Sequence, residues 1–308
     1  MIMDPVGSVR WFGDTSFALM LSAQERGHRV FHCQARDLSL VDRQVRVVAR
    51  QATMTDQVDP PITLGESVVL NLADVDVVFV RIDPPFDSRY LTVTHLLDHI
   101  RDVTLVVNDP RALRDANEKL YGCRFPDVMP PMIVTADREQ LLSFAEAHDG
   151  AVLKAIDGHG GRGIMTLQPG DRNERAIVDQ MTNRGRRTVM AQKFLDTVYD
   201  GDRRILLLDG ELLGAISRTP SGGDFRANIG VGGTVELIEI TASDQRVIDA
   251  IAPALRADGL WFVGLDVIGG FLSEVNVTSP SGVRHLARLT GTRPDHRILE
   301  WAEKRVGK

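Results

Sequence analysis

The chain has 308 residues, of which 43% are hydrophobic and 25% are charged, and its formal net charge is −6. These values are typical of a globular protein with roughly two or three packed units, and they exclude a largely disordered chain. Because the acidic residues are spread along the sequence, we expect neither a nucleic-acid-binding stripe nor a membrane-binding patch, and a small-molecule partner is favoured.

The cysteines and the amino terminus indicate the compartment. Cys33 and Cys123 are the only cysteines, and they lack the C-x-x-C spacing of a zinc site and the number needed for a disulfide framework. The first residues, MIMDPV, have neither the basic start nor the apolar run of a signal peptide, and no apolar stretch approaches bilayer length. We therefore expect a cytoplasmic protein.

The first third of the chain alternates short apolar runs with amphipathic segments. Helices are predicted over residues 15–26, where Gly27 stops the helix, and over residues 88–102. The predicted strands are HRVFHC, VRVVARQAT, DVDVVFVRI and VTLVVND. This alternation predicts a parallel α/β layer. Such a sheet normally opens with a full strand, but only three residues precede Asp4, so we expect either a very short first strand or a start assigned too late.

From about Asn117 the pattern changes to hairpins carried by helices, which predicts an α+β half. The hairpin RRILLLDGELLGAI turns at Asp209 and Gly210. The other predicted strands are GAVLKAI, IMTLQ, RTVMAQKFL, WFVGLDVI and FLSEVNVT. The predicted helices are residues 172–183, SDQRVIDAIAPALRADG and the closing segment DHRILEWAEKRV.

A glycine loop lies between two of these strands and has Gly158, Gly160 and Gly163 in the spacing G-x-G-x-x-G. A dinucleotide-binding loop would open a helix, but the next segment, IMTLQ, reads as a strand, and the Gly-Lys-Ser/Thr of a Walker loop is missing. We therefore expect a hairpin whose backbone N–H groups approach phosphates, with Lys154 reaching the same phosphates. An ordinary glycine turn beside a surface lysine is an equal alternative at this point.

The last predicted hairpin carries two carboxylates and an amide on its polar faces: Asp266 on one strand, Glu274 and Asn276 on the other. Their side chains meet on one side only if the connection holds an odd number of residues. We therefore expect a three-residue loop at residues 269–271 rather than a two-residue Gly-Gly turn. Such oxygen donors suit Mg²⁺, and the alternative is a solvated polar face.

Motifs along nearly the whole chain resemble the bacterial glutathione synthetases of the ATP-grasp superfamily. The most specific are NEKL at residues 117–120, DPPFD at 83–87 and E-x-N-x-T-S-P at 274–280. The resemblance implies an ATP-grasp fold, α/β plus α+β, behind a Rossmann-like parallel-sheet domain. The implied domains are an N-terminal substrate domain at 1–117, a small lobe with the glycine loop at 118–198, and a lobe with a lid and the metal hairpin at 199–308.

The activity implied by the resemblance is ATP-dependent ligation of glycine to γ-glutamylcysteine through an acyl phosphate. The cofactors would be ATP and two Mg²⁺ ions, with Mn²⁺ as an alternative metal. The partners would be these small molecules and further copies of the chain in a homo-oligomer, a tetramer in the family, with no nucleic acid and no membrane. The rivals are an ATP-grasp ligase of another peptide or amino-acid pair and a non-catalytic ATP-binding protein of the same fold.

Site residues follow from the resemblance, residue by residue. ATP would be bound by Lys119, Lys154, Gly160, Gly161, Gln192, Lys193, Phe194, Leu195, Asp202 and Asn276, with residues 192–195 as the adenine hinge. The metals would be held by Asp266, Glu274 and Asn276. The peptide substrate would lie near Asp4, Arg81, Asp83, Arg226 and Ser279, under a lid at residues 219–233.

Two arginines, Arg204 and Arg218, would stabilise the transferring phosphoryl group by the same resemblance. In a straight hairpin that turns over two residues at Asp209 and Gly210, their side chains face opposite sides of the sheet. Both can reach one phosphate only if the strand contains a bulge, which we predict at Gly214. Without a bulge only one arginine would serve.

Overall fold

The computed structural model describes residues 1–158, 160–219 and 234–307. The amino-terminal part contains strands β1 (Ile2–Met3), β2 (Phe31–His32), β3 (Leu38–Val41), β4 (Gln44–Met54), β5 (Ile62–Asn71), β6 (Val77–Arg81) and β7 (Leu105–Val107). Its helices are α1 (Thr15–Glu25), α2 (Ser88–Asp98) and α3 (Pro110–Asp115). Asp14 caps α1 by accepting from the Phe17 N–H at 2.7 Å, and Gly27 follows its end with φ +85°.

The parallel layer that we predicted is present as a three-stranded sheet in the order β1-β6-β7. The first strand is indeed very short, and Ile2 pairs with Val80 of β6. The prediction was wrong for VRVVARQAT and for Phe31–His32 of HRVFHC, because these segments lie in a separate antiparallel sheet formed by β2, β3, β4 and the unpredicted β5. Cys33, at the end of HRVFHC, makes a parallel bridge to Ile2. The connection between β4 and β5 is too short for a parallel crossover, so these two strands pair as an antiparallel hairpin.

A third sheet carries the glycine loop. The elements of this part are β8 (Met132–Thr135), α4 (Arg138–Ala147), β9 (Ala151–Ala155), β10 (Ile164–Leu167), α5 (Glu174–Met181) and β11 (Val189–Lys193). The strand order is β10-β9-β11-β8, all antiparallel, and α4 and α5 pack on one face through buried Leu141, Leu153 and Val178. The predicted strand–loop–strand arrangement is therefore confirmed.

The third part is a five-stranded antiparallel sheet with helices on it. Its elements are β12 (Asp202–Leu208), β13 (Glu211–Thr219), β14 (Thr234–Leu237), α6 (Ala242–Asp258), β15 (Phe262–Ile268), β16 (Phe271–Asn276), α7 (Val283–Thr290) and α8 (Pro294–Arg305). The strand order is β14-β13-β12-β15-β16. Its apolar face packs on α6, while Leu206, Ile216 and Leu286 belong to a second core shared with α7 and α8. The short α7 was not predicted.

The predicted three-residue loop between β15 and β16 is wrong. Ile268 pairs with Phe271, so the connection is the two-residue Gly-Gly turn, and both glycines have positive φ, 57° and 79°, as a type I′ turn requires. The extra residue needed to place both carboxylates on one side lies within β16 and not in the turn, because Asp266 pairs with Glu274 but Val267 pairs with Leu272. A bulge at Ser273 thus brings the two carboxylates to one side.

The predicted bulge between Arg204 and Arg218 is present beside Gly214. Leu206 pairs with Gly214, and the next pair is Leu207 with Leu212, so one extra residue lies on β13. As a consequence Arg218 pairs with Asp202, two residues before Arg204, and both arginine side chains lie on one face. In the described ranges no helix is long and apolar enough to cross a lipid bilayer.

Candidate nucleotide and metal site

A cavity of about 420 Å³ lies between the glycine-loop sheet and the five-stranded sheet; we call it the central cavity. Residues of both sheets, the glycine loop and the DPPFD motif line it. Among the lining residues are the predicted site residues Asp83, Lys119, Lys154, Gly160, Gly161, Gln192, Lys193, Phe194, Leu195, Asp202, Arg204, Arg218, Asp266, Glu274, Asn276 and Ser279. Positions scattered over nearly 200 residues of sequence therefore meet at one place.

Two arginines and two aspartates form a buried ion-pair cluster on the wall made by β12, β13 and β15. Arg218, which is 2% exposed, donates to both carboxylate oxygens of Asp202 at 2.6 Å and lies 2.9 Å from Asp266 Oδ1. Arg204 donates from Nε to Asp266 Oδ1 at 2.6 Å and from Nη1 to the Ser281 carbonyl at 3.0 Å. Both guanidinium groups are thus held by carboxylates.

Asp266 is the centre of this cluster. Burial by itself would raise the pKa of Asp266, but the adjacent Arg204 and Arg218 guanidinium groups outweigh it and hold this pKa well below its ordinary range. The Asp266 carboxylate is therefore ionised at neutral pH. A buried anion that already has two cationic neighbours can also bind a metal ion, provided that the cations find other partners.

Lys154 lies on β9 and its ammonium is buried at the floor of the cavity. It donates to Gln192 Oε1 at 2.5 Å and to Ser273 Oγ at 2.8 Å. Burial lowers the pKa of Lys154 to about 8, with the Glu274 carboxylate opposing the shift. The other atom of the Gln192 amide, Nε2, is buried and finds no hydrogen-bond partner among the described residues, so it remains a donor for a bound molecule.

Lys119 joins the glycine loop to the acidic hairpin. Its Nζ donates to the Gly158 carbonyl at 2.5 Å and lies 3.1 Å from Glu274 Oε1. The loop needs its glycines at Gly158 and Gly163. A Cβ at Gly158 would lie 2.5 Å from the Arg162 carbonyl oxygen, and Gly163 has φ +70° with Ala155 Cβ 2.9 Å from where its own Cβ would be.

The donor set predicted for a metal is brought together. Asp266 and Glu274 are a direct register pair, and Asn276 donates from Nδ2 to the Gly264 carbonyl at 3.2 Å, which leaves its amide oxygen as an acceptor. The described residues contain no group of three or more His, Cys, Asp or Glu side chains placed to hold an ion. Two carboxylates and an amide oxygen fit a hard cation that takes its remaining ligands from phosphates and water.

The predicted hinge residues follow β11 at the cavity edge. The Lys193 N–H donates to the Pro131 carbonyl and the Phe194 N–H to the Gly150 carbonyl, at 2.9 and 3.2 Å. Phe194 and Leu195 supply apolar surface beside Val152 and Ile268, as an adenine ring would require. The role of these residues as an adenine hinge stays a prediction.

The predicted peptide-binding residues are only partly brought together. Asp83 and Ser279 line the cavity, whereas Asp4 and Arg81 are not among its lining residues. Asp4 accepts from the Asp83 N–H at 2.9 Å, and buried Arg81 donates to the Ser16 hydroxyl and the Pro280 carbonyl. Asp4 and Arg81 are therefore connected to the edge of the cavity only indirectly, through the hydrogen bonds that they make with Asp83 and Pro280. Arg226 and all but the first residue of the predicted lid, 219–233, lie outside the described residues.

Among the residues of the cavity wall that sequence reasoning missed are Ser273 and Glu118. Ser273 touches Lys154 because it is the extra residue of the bulge in β16. Glu118 lies within the quoted NEKL motif but received no role, although its position beside Lys119 was a usable signal. Burial raises the pKa of Glu118, the nearby Glu274 carboxylate adds to the effect, and hydrogen bonds from Thr278 oppose it.

Comparison with known proteins places these motifs in a family. The family model of the prokaryotic glutathione synthetase ATP-grasp domain matches residues 118–291, and that of the N-terminal domain of the same enzymes matches residues 1–114. The glutathione synthetase of Nostoc sp. is 43% identical over 99% of this chain and 97% of its own length. That of Brucella melitensis is 41% identical, over 94% of this chain and 93% of its own.

Solved structures share the fold at much lower identity. D-cycloserine synthetase DcsG is 16% identical, with a TM-score of 0.64 over 94% of this chain and 93% of that one. The ATP-grasp ligase PsnB, complexed with a phosphomimetic variant of its minimal precursor, Mg and ADP, is 16% identical, with a TM-score of 0.62 over 94% of both chains. These neighbours share the ATP-grasp fold.

Proposed function

The chain belongs to the prokaryotic glutathione synthetase family, and we propose that it ligates glycine to γ-glutamylcysteine at the expense of ATP. The products would be glutathione, ADP and phosphate. The observation that carries this proposal is the register that pairs Asp266 with Glu274 in a cavity shared with two lysines and two arginines. A carboxylate pair surrounded by cations is what activation of an acid by a nucleotide phosphate needs.

The phosphate end of ATP would lie under the glycine loop. Lys154 and Lys119 approach from β9 and from the NEKL segment, and both are buried, so their charges act in a medium that screens them weakly. The Lys154 ammonium would exchange its contacts with Gln192 and Ser273 for phosphate oxygens. Gly160 and Gly161 have positive φ and would turn backbone N–H groups toward the same oxygens.

Asp266, Glu274 and Asn276 would hold the magnesium, which we propose as two ions, with manganese able to replace them. When bound, the metal supplies positive charge to the nucleotide phosphates. The carboxylates are oriented before any ligand arrives, because Asp266 is fixed by Arg204 and Glu274 by Lys119. These residues therefore need no large rearrangement to become ligands.

Arg204 and Arg218 would stabilise the phosphoryl group as it passes from ATP to the peptide carboxylate. Their guanidinium groups carry several N–H donors each, and those now directed at Asp266 can turn to the phosphoryl oxygens. The acid becomes an acyl phosphate, and the amine of glycine then attacks its carbonyl carbon and expels phosphate. The chain contributes no nucleophile, only positioning and charge.

The peptide substrate would lie between the DPPFD motif and the end of β16. Asp83 and Ser279 reach the cavity there, and we propose that Asp4, Arg81 and Arg226 complete the subsite. Residues 219–233 would cover the acyl phosphate against hydrolysis. The domains 1–117, 118–198 and 199–308 and a homotetramer remain part of the proposal, as does a place in the cytoplasm, where ATP and a reduced thiol substrate are both available.

The direct test is incubation of the full chain with ATP, magnesium, γ-glutamylcysteine and glycine, with ADP release and product mass both measured. We expect ADP in step with a product that has the mass of glutathione. A panel of other dipeptides and amino acids serves as the matched control. Preference for another pair would replace the proposed substrates, and tight ATP binding without turnover of any acid would reject ligation altogether.

A further inference from the structure

The segment Asn117–Glu118–Lys119 contacts both walls of the central cavity; we call it the 117–119 segment. Toward the glycine loop, Asn117 Nδ2 donates to the Ile156 carbonyl at 3.2 Å and Lys119 Nζ to the Gly158 carbonyl. Toward the acidic hairpin, Lys119 pairs with Glu274, and the Glu118 carbonyl accepts from the Val275 N–H at 3.0 Å.

The Glu118 carboxylate fixes the point at which β16 ends. Its Oε1 accepts three hydrogen bonds, from the Val277 N–H at 2.9 Å, the Thr278 N–H at 3.0 Å and the Thr278 hydroxyl at 2.8 Å. Val277 and Thr278 are buried and lie beyond the last residue of the strand, so their N–H groups have no strand partner. One carboxylate oxygen of Glu118 therefore satisfies the two backbone N–H groups that a neighbouring strand would otherwise bind.

The residues held in this way are next to the candidate metal ligands. Asn276 directly precedes Val277, and Glu274 precedes Val275, which is bonded to the Glu118 backbone. Moving the Glu118 oxygen by one methylene would release the two N–H groups and let the end of β16 shift. A displacement of that size at the ligands matters, because partners behind metal ligands determine how those ligands are aimed.

We propose that Glu118 is a positioning residue, which orients Glu274 and Asn276 toward the nucleotide phosphates through the position of its acceptor oxygen rather than through its charge. The inference rests on the proposed function for the identity of the ligands, ATP and magnesium. It adds that the 117–119 segment links the placement of the glycine loop to that of the acidic hairpin, because Asn117 and Lys119 contact the loop side while Glu118 and Lys119 contact the hairpin.

Two substitutions separate position from charge. Glu118→Gln keeps the side-chain length and an acceptor oxygen but removes the charge, and Glu118→Asp keeps the charge but withdraws the oxygen. The readout is binding of ADP to the full chain by titration calorimetry, with and without magnesium. The gain in ADP affinity on adding magnesium reports on the metal ligands, while the magnesium-free affinity reports on the rest of the site.

For Glu118→Asp we expect the gain from magnesium to shrink by roughly 10- to 100-fold, the usual effect of losing a partner behind a metal ligand, with magnesium-free affinity unchanged. For Glu118→Gln we expect the gain to stay within about threefold of the original chain. Thr278→Val, which removes only the hydroxyl donor, is the matched control and should resemble Glu118→Gln.

The opposite order overturns the proposal: if Glu118→Gln loses the gain and Glu118→Asp keeps it, the charge acts directly. An unchanged gain in Glu118→Asp overturns it as well. Circular dichroism melting checks that each variant is folded. If Glu118→Asp does not fold, Glu118→Gln alone tests the proposal: a retained gain from magnesium supports it, and a lost gain overturns it. ADP binding uses neither glycine nor the peptide. If the chain proved to use a different acid or amine substrate, the proposed function would be refuted, but the comparison of ADP affinities between the Glu118 variants would still test this inference.

Discussion

Asp266 and Glu274 stand opposite each other on β15 and β16, although the turn between these strands contains only two residues. A straight hairpin with that turn would direct the two carboxylates to opposite faces, and the extra residue Ser273 corrects this. The same device, an extra residue beside Gly214, brings Arg204 and Arg218 together. Two bulges in one sheet thus assemble the charged wall of the cavity, and the predictions below test its parts.

Glu274→Gln should lower kcat by about 100- to 1,000-fold, since it replaces one proposed metal ligand and the partner of Lys119. The measurement is steady-state ADP release at saturating ATP and magnesium. The exposed Glu211, at the turn between β12 and β13, offers a matched control, and Glu211→Gln should leave kcat unchanged. An undiminished rate in Glu274→Gln would remove the acidic hairpin from the mechanism.

Arg218→Lys should lower kcat by about 100-fold or more, because an ammonium cannot serve Asp202 bidentately and Asp266 as well. Arg203 lies on the opposite face of the same sheet, where it binds Asp244, and Arg203→Lys is the matched control. Arg203→Lys should lower the free energy of unfolding but leave kcat unchanged. Equal losses of kcat in the two variants would show that the sheet, and not the cavity face, is responsible.

Stability between pH 8 and 10.5 should rise with pH through Lys154. Its pKa is lowered by burial from 10.5 to about 8, so the folded chain releases this proton before the unfolded chain does. In that window the unfolded state binds more protons, and the contribution of Lys154 to the free energy of unfolding increases by up to about 3 kcal/mol.

Lys154→Met isolates this contribution. Urea unfolding of both chains at about pH 7.5 and about pH 9.5 should show the original chain gaining on the variant as pH rises. The same deprotonation removes a phosphate-binding charge, so the affinity of the original chain for metal-free ADP should fall over the same window. A pH-independent difference between the two chains would mean that Lys154 titrates normally.

Gly214→Ala should destabilise the fold by about 1–3 kcal/mol, because the new Cβ would lie 2.3 Å from Leu286 Cδ2 at a backbone φ of +159°. Gly7→Ala is the matched control, since a Cβ there meets nothing within 4 Å and φ is ordinary. Urea unfolding gives both free energies. We also expect kcat to fall in Gly214→Ala alone, as the bulge that aligns the two arginines is disturbed.

Much of the cavity could be predicted from local patterns. Alternation of apolar and polar residues placed Asp266 and Glu274 on polar faces, and counting residues required one odd residue between them. Counting residues could not show where this extra residue lies, because a three-residue turn and a bulge at Ser273 would each place the two carboxylates on the same side. Two consecutive glycines favoured the tight turn, so the odd residue had to lie elsewhere.

Contacts between distant residues were beyond such reasoning. The three hydrogen bonds to Glu118 come from residues 159 and 160 positions away in the sequence, and nothing local to either segment indicates them. The antiparallel pairing of β4 with β5 was missed for another reason: β5 has mostly polar or exposed positions and little alternation, so no strand was predicted there.

The pairing of Arg204 and Arg218 with Asp266 sets a condition on entry to the cavity. In the proposed function, an anion binding alone would draw Arg204 and Arg218 away from Asp266 and leave this buried carboxylate without its partners. A cation binding alone would take Asp266 from both arginines, of which Arg218 would keep Asp202 and Arg204 would keep the Ser281 carbonyl. If the cation and the anion bind together, Asp266 gains the cation while the arginines gain the anion, so the buried carboxylate is not left unpaired. In the proposed function, the resting contacts would therefore favour binding of the metal–nucleotide complex over binding of either component by itself.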